Sequence, residues 1–335
     1  MELALPIWFE ITTFVVLAGI IVGDLVHAYR RPHIPSTRES ALWVAFYVAL
    51  ALVFAVLMLV LGDIEQAGQF VAGWLTEYSL SIDNLFVFVI IMARFAVPRK
   101  LQQEVLMVGI LIALVLRGVF ILLGSQLIQN FSWIFYIFGA FLLFTAVQQA
   151  FTNNEGMEEK ESGVIAFLRK RVAITNEFDG TKLRTMHDGV KKFTPLMVVF
   201  IALGTTDLVF ALDSIPAIFG ITQSAFIVFT ANIFALMGLR QLYFLLGDLI
   251  DRLVYLKYGI AFILAFIAVK LVFHALHEND VPFINGGKHV EWAPEINTWV
   301  SLAVIVGSMA VATVASLVKV RIDRRADSLS DEAVD

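Results

Sequence analysis

Two apolar stretches of the chain carry acidic residues with the same spacing. Residues 69–92 read QFVAGWLTEYSLSIDNLFVFVIIM, and residues 194–220 read TPLMVVFIALGTTDLVFALDSIPAIFG. Two carboxylates lie six residues apart in each stretch, Glu77 and Asp83 in the first and Asp207 and Asp213 in the second. A charge at the centre of a bilayer costs at least about 2.5–3.5 kcal/mol, so acids inside segments of membrane length indicate a functional site. The duplicated pattern favours a polar pathway for cations.

The composition of the 335-residue chain is that of a polytopic membrane protein. It is 59% hydrophobic and only 16% charged, with a mean hydropathy of +0.83. A soluble domain of this size could not cover so much apolar surface with polar groups. The absence of cysteine excludes disulfides, thiolate metal sites and thiol catalysis. The first ten residues contain Glu2 and Glu10 but no Lys or Arg. A cleaved signal peptide begins with a basic segment, so the first apolar stretch is predicted to be a retained span.

Nine windows are long and apolar enough to cross about 30 Å of hydrocarbon. They cover residues 8–28, 41–61, 69–92, 104–124, 132–151, 194–220, 223–247, 254–276 and 298–319. The predicted fold is therefore all-α, a bundle of about nine transmembrane helices in a single membrane domain. Segment 152–193 is expected to be a cytoplasmic linker with some helix around residues 164–173.

Basic residues predict the orientation of this bundle. With nine spans, the following all fall on one side: Arg30, Arg31, Arg38, Arg94, Arg99, Lys100, Lys191, Lys192, Arg252, Lys257, Lys319, Arg321, Arg324 and Arg325. The opposite loops are short or acidic. We therefore expect the N-terminus outside and the tail, residues 320–335, in the cytoplasm.

A second similarity indicates an internal repeat. Residues 116–124, LRGVFILLG, resemble residues 239–247, LRQLYFLLG. The two units, 69–151 and 194–276, hold three spans each, so the second must enter the membrane from the opposite side, as in the inverted repeats of secondary transporters. Apolar helices also resemble one another by chance, but the shared acid spacing and the shared Leu-Arg disfavour that explanation.

Helix geometry predicts how the acids are distributed. Six residues rise about 9 Å and turn the side chain by roughly 240°, so the two acids of one helix do not share a face. They are better explained as stations along a path. The predicted central site combines Asp83 and Asn84 from one repeat with Asp213 and Ser214 from the other.

The remaining candidate residues flank this centre. Glu77 is expected toward the outside and Asp207 toward the inside. Arg117 and Arg240 are interpreted as structural counter-ions. The alternative is that the acids have a purely structural role, pairing with these arginines without binding a substrate. Asp24, near the end of the first span, is either a gate residue or an interfacial charge.

The predicted ligands suit a hard cation. Pro216 lacks an N–H and is expected to kink the helix and free the carbonyl of Leu212 beside Asp213. Carboxylate, amide, hydroxyl and carbonyl oxygens favour Mn²⁺, Mg²⁺ or Ca²⁺. His274 and His277 could form a metal-access site but more simply are interfacial histidines, and Lys270 is assigned no role.

The two acidic motifs resemble the signature motifs of the TerC/Alx family. Supporting matches are residues 138–144 (FGAFLLF), 235–240 (ALMGLR) and 256–259 (LKYG), and the resemblance extends over about residues 8–275. It implies an inner-membrane protein of the LysE-like transporter superfamily, associated with manganese export, tellurite-resistance clusters and alkaline or metal stress. Asp24 matches an acid of the family's first span. Many relatives carry a Glu where this chain has Gly204, which puts identical ion choice or coupling in doubt.

These features together predict a transporter, not an enzyme. The leading hypothesis is export of Mn²⁺ or another hard divalent cation by exchange for protons, with the lipid bilayer and the ion as partners, no cofactor and no nucleic acid. One alternative is a membrane scaffold or insertion chaperone that docks proteins through 152–193. Another is an intramembrane aspartyl protease, for which residues 204–207 (GTTD) are only a poor match. Tellurite is an anion, which an acid-lined path would repel.

Overall fold

The chain forms a bundle of long helices with one small hairpin. The computed structural model describes residues 5–30, 35–131, 133–151, 175, 178–187, 190–246, 255–279, 281–282, 284–290 and 292–332. Its helices are α1 (Ile7–Arg30), α2 (Thr37–Leu61), α3 (Ile64–Arg94), α4 (Arg99–Asn130), α5 (Ile134–Phe151), α6 (Pro195–Phe219), α7 (Ala225–Leu236), α8 (Leu239–Leu246), α9 (Leu256–His277) and α10 (Thr298–Glu332). A single turn of 3₁₀ helix spans Asn285–Gly287.

The predicted fold class is confirmed. Eight segments of the described chain are long and apolar enough to cross a membrane, with α7 and α8 together forming one of them. The 31-residue α3 adds a further helix of spanning length. Large apolar side chains such as Val60, Val115, Phe144 and Val311 lie exposed on the outer faces of these helices. A polytopic helical membrane protein exposes such residues to lipid.

The sequence missed a short β-hairpin. Strands β1 (Arg184–His187) and β2 (Val190–Phe193) pair antiparallel, Arg184 opposite Phe193 and His187 opposite Val190. The pKa of Asp179, just before the hairpin, is lowered because Thr185 and Lys182 donate hydrogen bonds to its carboxylate. The helix expected at 164–173 lies outside the described residues. We name the end of the bundle that carries β1 and β2 the hairpin end.

Local sequence signals fix several helix ends. The Ser36 hydroxyl accepts from the backbone N–H of Glu39 at the start of α2, and the Ser224 hydroxyl does the same for Ile227 at the start of α7. Such N-caps satisfy donors that have no partner inside the helix. Pro195 begins α6, where its missing N–H costs nothing.

Small residues let the helices approach closely. At Gly139 of α5, a Cβ atom would lie 2.7 Å from Val272 Cγ2 and 3.0 Å from the Ala268 carbonyl oxygen of α9. Close backbone contact at small residues is the usual way that helices pack within a bilayer. The long α3 packs against α2, α6, α7 and α10, so the helix with the first acidic motif lies inside the bundle.

Candidate functional site

Arg117 of α4 lies in the interior and binds acids from two other helices. Its side chain is only 1% exposed. Nη1 donates to Glu77 Oε2 of α3 at 2.8 Å, and Nη2 donates to Asp207 Oδ1 of α6 at 3.3 Å. Both carboxylates are buried as well. The first acids of the two motifs therefore meet on one guanidinium group, which we call the Arg117 centre.

Two asparagines support the Arg117 centre. Asn232 of α7 donates from Nδ2 to Glu77 Oε2 at 3.1 Å. Asn84, with its amide oriented to suit its neighbours, accepts from Arg117 Nη2 at 2.9 Å and donates to the Leu80 carbonyl at 3.1 Å. Asn84 was among the predicted residues, and Asn232 was missed. The available signal was an amide side chain in the otherwise apolar middle of residues 225–236.

Contacts between α3 and α6 give the direction of the two motif helices. Gln69 accepts from the Thr222 hydroxyl at 2.6 Å. A Cβ at Gly73 would lie 3.2 Å from Ile218 Cδ1. The residue numbers on one helix fall as those on the other rise, so α3 and α6 are antiparallel neighbours. This is the direction that an inverted repeat requires.

This register also sets the depth of the four acids. Counting on from the Gly73–Ile218 contact, Glu77 lies level with Ser214, and Asp207 lies level with Asn84. Asn84 follows Glu77 by seven residues, which corresponds to a rise of about 10 Å along the helix. In this register Glu77 is the acid farthest from the hairpin end and Asp207 the nearest, which is the predicted order, and their side chains both reach Arg117.

Asp83 and Asp213 were predicted to form the central pair. Their backbones belong to α3 and α6, and their side chains lie outside the described part of the structure. By the same register, Asp83 is level with Leu208, and Asp213 is level with Tyr78. The two acids therefore differ in depth by the five residues from Tyr78 to Asp83, a rise of about 7.5 Å. Each second acid thus lies near the level of the other repeat's first acid.

Several buried oxygens near the Arg117 centre lack a hydrogen-bond donor. Among the described side chains these are Glu77 Oε1, Asp207 Oδ2, Ser81 Oγ and Ser214 Oγ. The Ser214 hydroxyl lies beside the Glu77 carboxylate but outside hydrogen-bond geometry. A buried polar atom without a partner costs free energy unless something else satisfies it. Carboxylate and hydroxyl oxygens are the ligands that hard divalent cations prefer.

A second buried ion pair joins α1 to α8. Arg240 Nη2 donates to Asp24 Oδ1 at 2.9 Å, and the side chains are 10% and 24% exposed. The Tyr47 hydroxyl also interacts with the Asp24 carboxylate. Asp24 was predicted to be either a gate residue or an interfacial charge, and Arg240 a structural counter-ion. In the described contacts Asp24 and Arg240 bind each other, and we call them the Arg240 pair.

The backbone breaks immediately before Arg240. The helix α7 ends at Leu236 and α8 begins at Leu239, with Gly238 at φ +82° between them. Glycine adopts this left-handed conformation without steric cost, whereas an L side chain does not. A Cβ there would also lie 3.0 Å from the Tyr47 ring. The corresponding helix of the first repeat, α4, runs unbroken for 32 residues.

A polar cavity of about 650 Å³ opens at the end of the bundle opposite the hairpin end. Glu10, Gln69, Thr222, Lys270 and His274 are among its lining residues. It stops short of Glu77, because Ile218 of α6 packs against Gly73 of α3 between them.

The two histidines considered for a metal-access site at that end bind different partners. His274 contacts Glu278 at 3.5 Å, whereas His277 contacts Glu295 at 3.0 Å. Lys270 Nζ donates to the Ser301 hydroxyl at 3.1 Å. No group of three or more His, Asp or Glu side chains gathers at a metal-binding distance within the described residues, a set that leaves out the carboxylates of Asp83 and Asp213.

Pro216 does not interrupt its helix. α6 continues through this residue to Phe219, one turn further. The carbonyl of Leu212 still has no proline N–H to accept from, so its role as a cation ligand stays a prediction.

Comparison with known proteins identifies the family. The model of the "Integral membrane protein TerC family" matches residues 62–324. The chain belongs to the TerC family. The resemblance seen in the two acidic motifs is thereby confirmed over α3 to most of α10, the part of the chain that holds Arg117, Glu77 and Asp207.

Curated relatives of this TerC protein are similar over most of their length. An uncharacterized membrane protein of Mycobacterium tuberculosis (strain H37Rv) is 44% identical over 310 residues, 91% of this chain and 77% of the relative. An uncharacterized membrane protein of Myxococcus xanthus is 37% identical over 315 residues, 94% and 93% of the two chains. Alx of Escherichia coli K12, which carries the name of a membrane-bound redox modulator, is 41% identical over 267 residues, 77% and 83%. No solved structure matches the chain.

Proposed function

We propose that this TerC protein exports a hard divalent cation, above all Mn²⁺, through the Arg117 centre in exchange for protons. The observation that carries the proposal is the sharing of Arg117 by Glu77 and Asp207, one acid from each motif helix. A binding site between two antiparallel repeats near the midplane is typical of secondary transporters.

In this proposal Arg117 stands in for the transported ion. A guanidinium between two buried carboxylates offsets their mutual repulsion and their desolvation. A divalent cation supplies the same compensation with shorter contacts to oxygen. The oxygens without donors, Glu77 Oε1, Asp207 Oδ2 and Ser214 Oγ, are the ones that such an ion would bind, together with the predicted ligands Asp83 and Asp213.

Proton exchange follows from the same charges. Carboxylates that lose a bound cation in a poorly hydrated site favour the protonated form. Protons arriving from the outside would therefore replace the departing ion on these acids, and their release on the cytoplasmic side would restore the site. In this proposal the hairpin end faces the cytoplasm, which is the orientation that the basic loops predict.

The redox modulation in the name of Alx would not involve cysteine thiols in this chain. Thiol–disulfide exchange needs a cysteine thiolate, and the sequence contains none.

Flux measurements in proteoliposomes test the proposal. Purified protein is reconstituted, and uptake of Mn²⁺, Mg²⁺, Ca²⁺ and Zn²⁺ is followed with and without a pH gradient. We expect Mn²⁺ flux that a proton gradient accelerates, and a loss of at least about tenfold in Asp207→Asn, because a carboxylate ligand is removed.

Asp179→Asn is the matched control for that experiment. It makes the same carboxylate-to-amide change at an exposed acid beside the hairpin, so its flux should equal that of the parent. Equal flux in Asp207→Asn and the parent, or no flux of any of the four ions, contradicts the proposal.

A further inference from the structure

Arg117 and Arg240 occupy matching positions but bind different partners. They are the second residues of the matched segments 116–124 and 239–247. Arg117 binds an acid from each motif helix, whereas Arg240 binds Asp24 of α1, a helix outside both repeats. The two halves of the protein are therefore unequal at the residue that neutralises the acids.

Arg240 lies on the same side of Glu77 as Asp207, toward the hairpin end. Asn232 of α7 bonds Glu77 and so marks its level. Arg240 is eight residues further along the same span, beyond the break at Gly238 and toward the hairpin end. Asp207 lies about 10 Å from Glu77 in the same direction by the α3–α6 register. The helix α8 also packs against α3, the helix that faces Asp207.

The surroundings of Arg240 leave it incompletely satisfied. Its Nη1 atom and Gln241 Oε1 are buried without hydrogen-bond partners. A narrow cavity of about 50 Å³ adjoins them, lined also by Asp24, Tyr47 and Gly238. The helix α8 is separated from α7 at Gly238, so Arg240 is not carried on the same continuous helix as Asn232.

We propose that Arg240 is a second positioning residue for the carboxylates of the Arg117 centre. In the opposite-facing state it leaves Asp24 and binds Asp207, in place of Arg117. Inverted repeats that exchange conformations would interchange the roles of their matching residues. Asp24 holds Arg240 in the present state, and its carboxylate faces the cavity once Arg240 has moved.

This inference rests on the proposed function, because it assumes two states that face opposite sides. Its test is a thermal-stability measurement without metal or flux, so the two ideas can fail separately. Arg117→Gln leaves Glu77 and Asp207 buried without their guanidinium. Adding Asp24→Asn frees Arg240 to bind them, and we expect the double variant to melt several degrees above Arg117→Gln.

If Arg240 binds Asp24 in every state, the double variant should melt no higher than Arg117→Gln. If Arg240 cannot reach Asp207, Asp24→Asn leaves a further buried charge unpaired, and the Tm of the double variant falls to or below that of Arg117→Gln. That result overturns the proposal. The triple variant with Arg240→Gln is the control: it must lose the rescue, and retention of the rescue also overturns the proposal.

A second background keeps the test usable if Arg117→Gln does not fold. Arg117→Lys retains one charge but cannot bind both acids in the forked manner of a guanidinium. Asp24→Asn should raise the Tm of Arg117→Lys as well, and a lowered or unchanged Tm counts against the exchange of arginines.

Discussion

The Arg117 centre and the Arg240 pair show how one repeated motif can serve two purposes. Arg117 lies on an unbroken helix, is 1% exposed and binds two acids. Arg240 follows a break in its helix and binds one acid that is partly exposed. The difference shows that matching positions in two repeats need not bind matching partners: Arg117 binds its acids from an unbroken helix, and Arg240 binds Asp24 from beyond a break.

Neutralising the arginines should give the largest difference in unfolding free energy between the Arg117 centre and the Arg240 pair. Arg117→Gln leaves two fully buried carboxylates without their cation, and we expect a loss of about 3–5 kcal/mol in unfolding free energy. Arg240→Gln should cost about 1–3 kcal/mol, because water can reach Asp24. Denaturation of both variants in one detergent measures the difference, and equal losses would mean that the two pairs are energetically equivalent.

Removing an amide tests the comparison further because, among the described contacts, asparagine side chains bind the Arg117 centre and not the Arg240 pair. Asn232→Ala deletes the hydrogen bond to Glu77 Oε2 and should cost about 1–3 kcal/mol, because the acceptor is charged and buried. Thr230→Ala is a suitable control from the same helix, since its hydroxyl bonds only the backbone of α7. A smaller effect for Asn232→Ala than for Thr230→Ala would exclude Asn232 from the centre.

Changing the helix break should have the smallest effect of the three. Gly238→Ala places a Cβ at positive φ and against the Tyr47 ring, so we expect a loss of about 1–2 kcal/mol. Gly19→Ala in α1, where nothing lies within 4 Å of the new Cβ, should be neutral or slightly stabilising. If Gly238→Ala is equally well tolerated, the break does not depend on glycine.

The helical bundle could be predicted from the sequence because lipid leaves few alternatives. Segments of about 20 apolar residues must satisfy their backbone internally, so windows such as 41–61 and 104–124 lie within the observed α2 and α4. The β-hairpin at residues 184–193 gave no comparable signal. Its strands are four residues each and largely polar, too short for an alternating pattern to be distinguished from a loop.

The candidate site was predictable in its residue types but not in its pairing. Charges within apolar segments of membrane length identified Glu77 and Asp207 as functional candidates and Arg117 as a counter-ion. That the two first acids share one guanidinium depends on the register of α3 against α6, which follows from contacts such as Gly73 with Ile218. Asn232 escaped notice because a single amide carries little weight in a hydropathy pattern.

The lengths of α3 and α4 make the thickness of the surrounding lipid a physical variable for this protein. With 31 and 32 residues these helices extend about 46–48 Å, well beyond a hydrocarbon layer of about 30 Å, so they tilt or project from it. Shorter or longer acyl chains would alter that tilt. Because the two helices carry Glu77 and Arg117, membranes of different thickness should tune the contact between carboxylate and guanidinium.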